Sequence, residues 1–180
     1  IIICSHYPVI TIGRSGHAEN LLSPREDYAS RGIKLIDVDR GGDVTYHGPG
    51  QVIAYPIFPM AAFGCDLHEY MRFLEQAIIQ TLGSIEVSAS RNPGRTGVWV
   101  NARKIASIGI GVKRWISYHG LSIVVKRGEL GNFGLIRPCG LNAFMTSIES
   151  ELGQDVTLDQ VKQNLIRSLD YDQCNSAVAG

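Results

Sequence analysis

Twelve consecutive residues, Arg40-Gly-Gly-Asp-Val-Thr-Tyr-His-Gly-Pro-Gly-Gln51, constrain this chain more than any other stretch. Four glycines and a proline in so short a span permit positive φ and let another backbone or a ligand come close. On composition alone the segment reads as a long Gly/Pro turn between two strands, because turns use these same residues. It lacks the residue order of a phosphate-binding P-loop and of a dinucleotide fingerprint. Within it, His47 can be a base, a hydrogen-bond donor or a packed histidine. Arg40 can clamp an anion or pair with Asp39 or Asp43.

The surrounding pattern is that of one α+β domain. Ile1 to Ile3, Val9 to Ile12 and Ile33 to Val38 are short β-branched runs, and the polar stretch Arg14 to Arg31 between them reads as a loop. Asp66, with Glu69 three residues on, predicts a helix start. Leu67, Tyr70, Met71, Leu74, Ile78 and Leu82 then form one apolar face, and Gly83 is its expected stop. Gly97 to Val100 and Ile105 to Val112 read as a hairpin turned at Asn101 to Arg103, followed by a strand over Leu121 to Val125. Ile105, Ser107, Gly109 and Gly111 occupy alternate positions, which predicts an unusually small face that a ligand can approach. Thr157 with Gln160 predicts the last helix, with Leu158, Val161, Leu165 and Leu169 as its stripe. The fold class expected is α+β (α/β), a mixed β-sheet with flanking helices. With no repeat or dividing linker, residues 1–180 read as a single domain.

Composition narrows the function classes. Lys plus Arg and Asp plus Glu each number 17, so the net charge is zero and nucleic acid is not an expected partner. The longest mostly apolar stretch, Val52 to Gly64, is broken by Pro56 and Pro59, so no membrane span is expected. The chain opens on Ile1-Ile2-Ile3 with neither a charged leader nor an initiator Met, which predicts no signal peptide and fits a trimmed chain. Cys4, Cys65, Cys139 and Cys174 show neither metal-ligand spacing nor a disulfide pattern and read as reduced thiols. Two further residues carry chemistry. Lys104 starts an otherwise apolar strand, where its ammonium can lose hydration or snorkel to solvent. Cys139 stands between Pro138 and Gly140, ahead of a short helix expected over Leu141 to Glu149, where a thiolate is favoured; a buried structural thiol is the alternative.

Taken in order, Arg40 to Gln51, Gly97 to Val100, the Lys104 to Gly109 element, His119 to Leu121 and Pro138 to Gly140 resemble the lipoyl(octanoyl) transferase family along nearly the whole chain. The resemblance implies the α/β catalytic domain shared with biotin and lipoate protein ligases. It implies an acyltransferase that moves an octanoyl or lipoyl group from acyl carrier protein to a lysine of lipoyl domains, needing no cofactor and no metal. Cys139 matches the family's nucleophile and Lys104 its catalytic lysine. The implied substrate pocket comprises Arg40, Gly41, Gly42, Asp43, Val44, Thr45, Tyr46, His47, Ser107, Ile108, Gly109, Gly120, Leu121 and Ser122. Asp43 departs from the family pattern, which often has Gln there. Members usually carry a further N-terminal segment, so 1–180 reads as a catalytic domain lacking it. The implied donor is octanoyl-acyl carrier protein, with a basic docking patch drawn from Arg14, Arg40, Arg114 and Arg137. The implied acceptors are lipoyl domains of 2-oxoacid dehydrogenase E2 subunits and the glycine cleavage H protein, met by a monomer in the cytoplasm, or in an organelle if the source is eukaryotic. The readings set against this are an ATP-dependent lipoate or biotin protein ligase, and a non-catalytic acyl- or carrier-binding protein in which Cys139 is inert.

Overall fold

The computed structural model describes residues 1–137 and 144–170. The strands are β1 (Ile2–Cys4), β2 (Val9–Ile12), β3 (Lys34–Asp37), β4 (Val44–His47), β5 (Gln51–Tyr55), β6 (Ser90–Asn92), β7 (Arg95–Val100), β8 (Arg103–Lys113) and β9 (Ile116–Val124). The helices are α1 (Arg25–Ser30), α2 (Leu67–Gly83), α3 (Leu130–Phe133), α4 (Ile148–Leu152) and α5 (Leu158–Ser168). Six strands form an antiparallel sheet in the order β1-β5-β9-β8-β7-β6. A smaller sheet, β3-β2-β4, is mixed, with β2 parallel to β3 and antiparallel to β4.

Each sheet has its own apolar packing. Ala54, Ala106, Leu121 and Ile123 of the large sheet pack with Tyr70, Leu74, Ile78 and Leu82 of α2 and Val161 and Leu165 of α5. Ile10, Val44 and Tyr46 of the small sheet pack with Tyr28 of α1 and with Phe133 and Ile136. Helix starts obey their caps. The Asp66 carboxylate accepts from the His68 and Glu69 N–H groups, and the Thr157 hydroxyl accepts from Gln160 N–H.

Several expectations are corrected. Arg14 to Arg31 is not all loop: Arg25–Ser30 forms α1, whose single buried residue, Tyr28, leaves no periodic apolar signal. Leu67 is exposed, outside the buried face of α2. α2 does end at Gly83, its last helical residue, while the left-handed residue that follows is Glu86, φ +64°. The segment Arg40 to Gln51 is not one long turn, because β4 runs through its middle. Of the helix expected over Leu141 to Glu149, residues 141–143 lie outside the described residues, 144–147 are not helical and α4 starts at Ile148; Met145 bridges in parallel to Lys104.

Candidate active site

The two sheets face each other across a cavity of about 270 Å³. Strand alternation selects its walls. Register sets Ser107 beside Ser122 and Ser122 beside Ile53, and sets Gly109 beside Gly120. These residues line the large-sheet wall with Tyr55. Val9, Thr11, Ile36, Val38, Val44, Thr45 and His47 line the facing wall. Serine and glycine on one side and β-branched residues on the other leave a mostly apolar slot.

Lys104 reaches this slot through a bulge. Trp99 pairs with Lys104 but Val98 pairs with Ala106, so Ile105 is the extra residue on β8. The extra residue changes the phase of alternation. Ile105 and Ala106 both enter the core, while Lys104 lines the cavity and is 6% exposed. The expected small face is therefore Ser107 and Gly109 without Ile105. Gly111 does not open it further, because the Tyr118 ring occupies the space a Cβ would take there, 2.4 Å away.

Gly97 seats the lysine. Its φ of +112° suits glycine, and a Cβ there would lie 2.7 Å from Lys104 Cε and 2.5 Å from the Ala106 carbonyl oxygen. Its N–H donates to buried Glu75, which also pairs with Arg72 at 2.7 Å and Arg91 at 3.1 Å. Lys104 Nζ sits 5.7 Å from the centroid of the Trp99 ring. The Lys104 N–H donates to the Phe144 carbonyl and its carbonyl accepts from Thr146 N–H. Pro138, Cys139 and Gly140 lie outside the described residues.

Arg40 is used by the backbone. Its guanidinium donates to the Thr11 carbonyl at 2.8 Å, the Thr11 hydroxyl, the Gly41 carbonyl and the Asp43 carbonyl at 2.7 Å. The Asp43 carboxylate accepts from the His17 N–H, the Asn20 amide and its neighbour Val44 N–H. Together they hold Gly42, at φ +85°, with its carbonyl against Gly13, where a Cβ would lie 2.3 Å away. Asp43 is thus a loop organiser, and the position often occupied by Gln serves here as a triple acceptor.

His47 borders the cavity with its Nδ1 shut from solvent and without a hydrogen-bond partner. Burial, then the Arg40 guanidinium and neighbouring His6, push its pKa down to about 3, so the ring is neutral near pH 7. His6 Nε2 lies 2.5 Å from the Tyr55 hydroxyl, and its ring centroid is 6.0 Å from that of His47. Burial lifts Tyr55 to about 12.

Of the other expected pocket residues, Gly42, Asp43, Val44, Thr45, Ser107, Gly109, Gly120 and Ser122 border the cavity. Ile108 and Leu121 border it too, but their side chains pack with the helix-side core, since they alternate with the residues facing the slot. Tyr46 does not border it. Its ring packs edge-on against Phe133 on the far side of the small sheet. Gly41 turns its N–H to the Ile110 carbonyl and also stays outside the lining. Sequence reading missed His6, Tyr55, Val9, Thr11, Ile36 and Val38. The alternation of Val9 and Thr11 about Ile10 could have marked two of them; His6 and Tyr55 carried no such signal. Among the described residues no cluster of His, Cys, Asp and Glu could hold a metal ion, and no helix is long and apolar enough to cross a membrane.

The fold, two β-sheets around an apolar slot, is shared with solved lipoate and biotin protein ligases. Lipoate-protein ligase A bound with ATP superposes at a TM-score of 0.72 over 92% of this chain and 69% of that one, at 17% identity. The biotin protein ligase from Aquifex aeolicus in complex with biotin and ATP gives 0.61 over 92% and 69%, at 16% identity. At sequence level the lipoyl protein ligase A/B catalytic domain matches residues 1–170, and the chain belongs to that family. The octanoyltransferase of Geobacter metallireducens is 43% identical over 166 residues, 92% of this chain and 74% of that protein.

Proposed function

We propose that this chain is an octanoyltransferase of protein lipoylation, moving an octanoyl group from an acyl carrier protein thioester to the ε-amine of a lysine on a lipoyl domain. The observation that carries the reading is the slot itself: an apolar cavity bordered by Lys104, in a chain whose relative at 43% identity is named octanoyltransferase. The slot offers the acyl tail a dry environment worth about 0.8 kcal/mol per buried methylene.

In the proposed cycle the Cys139 thiolate attacks the donor thioester carbonyl. The carrier C–S bond breaks, the carrier thiol leaves with a proton, and an acyl-Cys139 thioester remains. The neutral acceptor amine then attacks that carbonyl, an amide forms and Cys139 leaves as the thiolate. In this cycle Lys104, as a cation, favours the thiolate, gives a proton to the departing carrier thiol and takes one back from the incoming amine. The pocket proper comprises Gly42, Asp43, Val44, Thr45, His47, Ser107, Gly109, Gly120 and Ser122, with Ile108 and Leu121 contributing backbone and Arg40 bracing the loop. Neutral His47 suits an apolar chain better than a charged ring would. Lipoyl domains of 2-oxoacid dehydrogenase E2 subunits and the glycine cleavage H protein are the acceptors that fit this chemistry, and a cytoplasmic setting fits thiols read as reduced.

A lipoate ligase shares the fold but must activate its acid with ATP. Intact mass after mixing the protein with octanoyl-acyl carrier protein, without ATP, separates the two. One added octanoyl group, absent in Cys139→Ala and discharged by an apo lipoyl domain, is the expected result. No adduct on folded protein, with transfer only in the presence of octanoate and ATP, overturns the transferase reading.

A further inference from the structure

Along β8 and β9 the cavity-bordering residues run from Lys104 through the Ser107–Ser122 and Gly109–Gly120 pairs to His119. His119 pairs with Ile110, roughly 20 Å along β8 from Lys104 at about 3.4 Å per residue. It is therefore the far limit of the slot on this sheet. Its backbone is in the left-handed region, φ +58°, uncommon for a residue with a side chain.

The holding group comes from the connection between β3 and β4. Asp39 Oδ1 accepts from His119 Nε2 at 2.8 Å, and its Oδ2 accepts from the Tyr118 hydroxyl at 2.9 Å. The carboxylate thus ties the large sheet to the segment leaving the small one. Beyond His119 the Tyr118 ring fills the surface of Gly111, while Arg40 Cδ lies 3.0 Å from the Cβ position of Gly109. The His119 side chain is 24% exposed and Asp39 is 69% exposed, so the pair stands at this end of the slot next to solvent rather than in the core.

We propose that His119, held by Asp39, is the end wall of the acyl slot and determines the longest acyl chain the protein takes. His119 is a specificity-determining residue and Asp39 a positioning residue. The inference rests on the acyl-transfer reading for its biological meaning, but its geometry is testable without transfer.

The test is calorimetric titration of the full chain with free saturated fatty acids from six to fourteen carbons. The parent is compared with His119→Gly, Asp39→Ala and Asp39→Asn. Glycine suits φ +58°, so His119→Gly removes the wall without disturbing the backbone; circular dichroism checks the fold. Affinity in the parent is expected to rise about fourfold per methylene, the equivalent of about 0.8 kcal/mol, and then to fall at a cut-off. His119→Gly moves that cut-off longer by at least two carbons, raising the acid two carbons beyond the parent's cut-off over the acid at it by about fifteenfold. Asp39→Ala shifts it the same way but less, and Asp39→Asn, which still offers an acceptor, keeps the parent profile. An unchanged cut-off in His119→Gly, an equal loss at every length, or no fatty-acid binding by the parent overturns the proposal. Octanoyl loading measured in the same preparation decides the transferase reading separately.

Discussion

Replacing Gly97 with alanine tests whether the seat of Lys104 is built as the geometry says. The new methyl lies 2.5 Å from the Ala106 carbonyl oxygen and 2.7 Å from Lys104 Cε, closer than real Cβ contacts allow. The backbone there is at φ +112°. Strain of that kind costs on the order of 1–3 kcal/mol, and overpacking against a backbone atom adds about 1–3 kcal/mol. After partial relaxation, a net loss of about 3 kcal/mol is expected, which for a domain of this length lowers Tm by about 6–12 °C. The flexible lysine is the partner that moves. A displacement of about 1 Å at a reacting group costs on the order of 100-fold in rate. The assays are thermal unfolding and single-turnover acyl transfer, run on Gly97→Ala, Lys104→Ala and the double variant. The double variant is expected to be no slower than Lys104→Ala alone, because the seat matters only through its occupant. Full transfer rate in Gly97→Ala, or a double variant far slower than Lys104→Ala, refutes the reasoning.

Two further outcomes are expected. Arg40→Lys cannot reach Thr11, Gly41 and Asp43 together, so urea unfolding should show a loss of about 2–4 kcal/mol, since bonds from a charged donor are worth about 1.5–3 kcal/mol each; unchanged stability would show that the strap is idle. His47 titrates near 6.5 when unfolded but at about 3 when folded, so its contribution to stability is intact above pH 6.5 and is lost as pH falls from there towards 3. The difference between the parent and His47→Gln in urea should change by up to about 1.4 kcal/mol per pH unit across that window, and a pH-independent difference would contradict the burial assigned to the ring.

The parts of the fold that were legible were those with local causes. Asp66 and Thr157 cap helices because a side-chain oxygen two or three residues ahead of free N–H groups suffices, whatever the rest of the chain does. The hairpin at Asn101 was legible for the same reason, φ +53° being one that asparagine tolerates. The bulge was not legible. Ile105, Ser107, Gly109 and Gly111 alternate cleanly along β8, and the extra residue exists only by comparison with β7. A one-residue change of phase moves side chains between faces, so it decided which of two fates Lys104 met. The motif was legible as a site, but not in its division of faces: Tyr46 and His47 are neighbours in sequence and lie on opposite sides of β4, one packed with Phe133 and one on the slot.

That division has a consequence for how the twelve-residue motif should respond to substitution. Its charged members spend most of these hydrogen bonds on backbone: Arg40 on Thr11, Gly41 and Asp43, and Asp43 on His17 and Val44 beside the Asn20 amide. Buried polar groups are costly to strand, so damage to these two should appear first as lost stability and only secondarily as lost rate. Lys104 has the opposite profile. Its backbone is held by Phe144 and Thr146 whatever its side chain is, so its removal should leave the fold in place and strike the reaction. Segments that look uniformly functional in sequence therefore separate into a frame, Arg40 and Asp43, and a working edge, Lys104, and the ratio of lost rate to lost stability, residue by residue, is the quantity that distinguishes them.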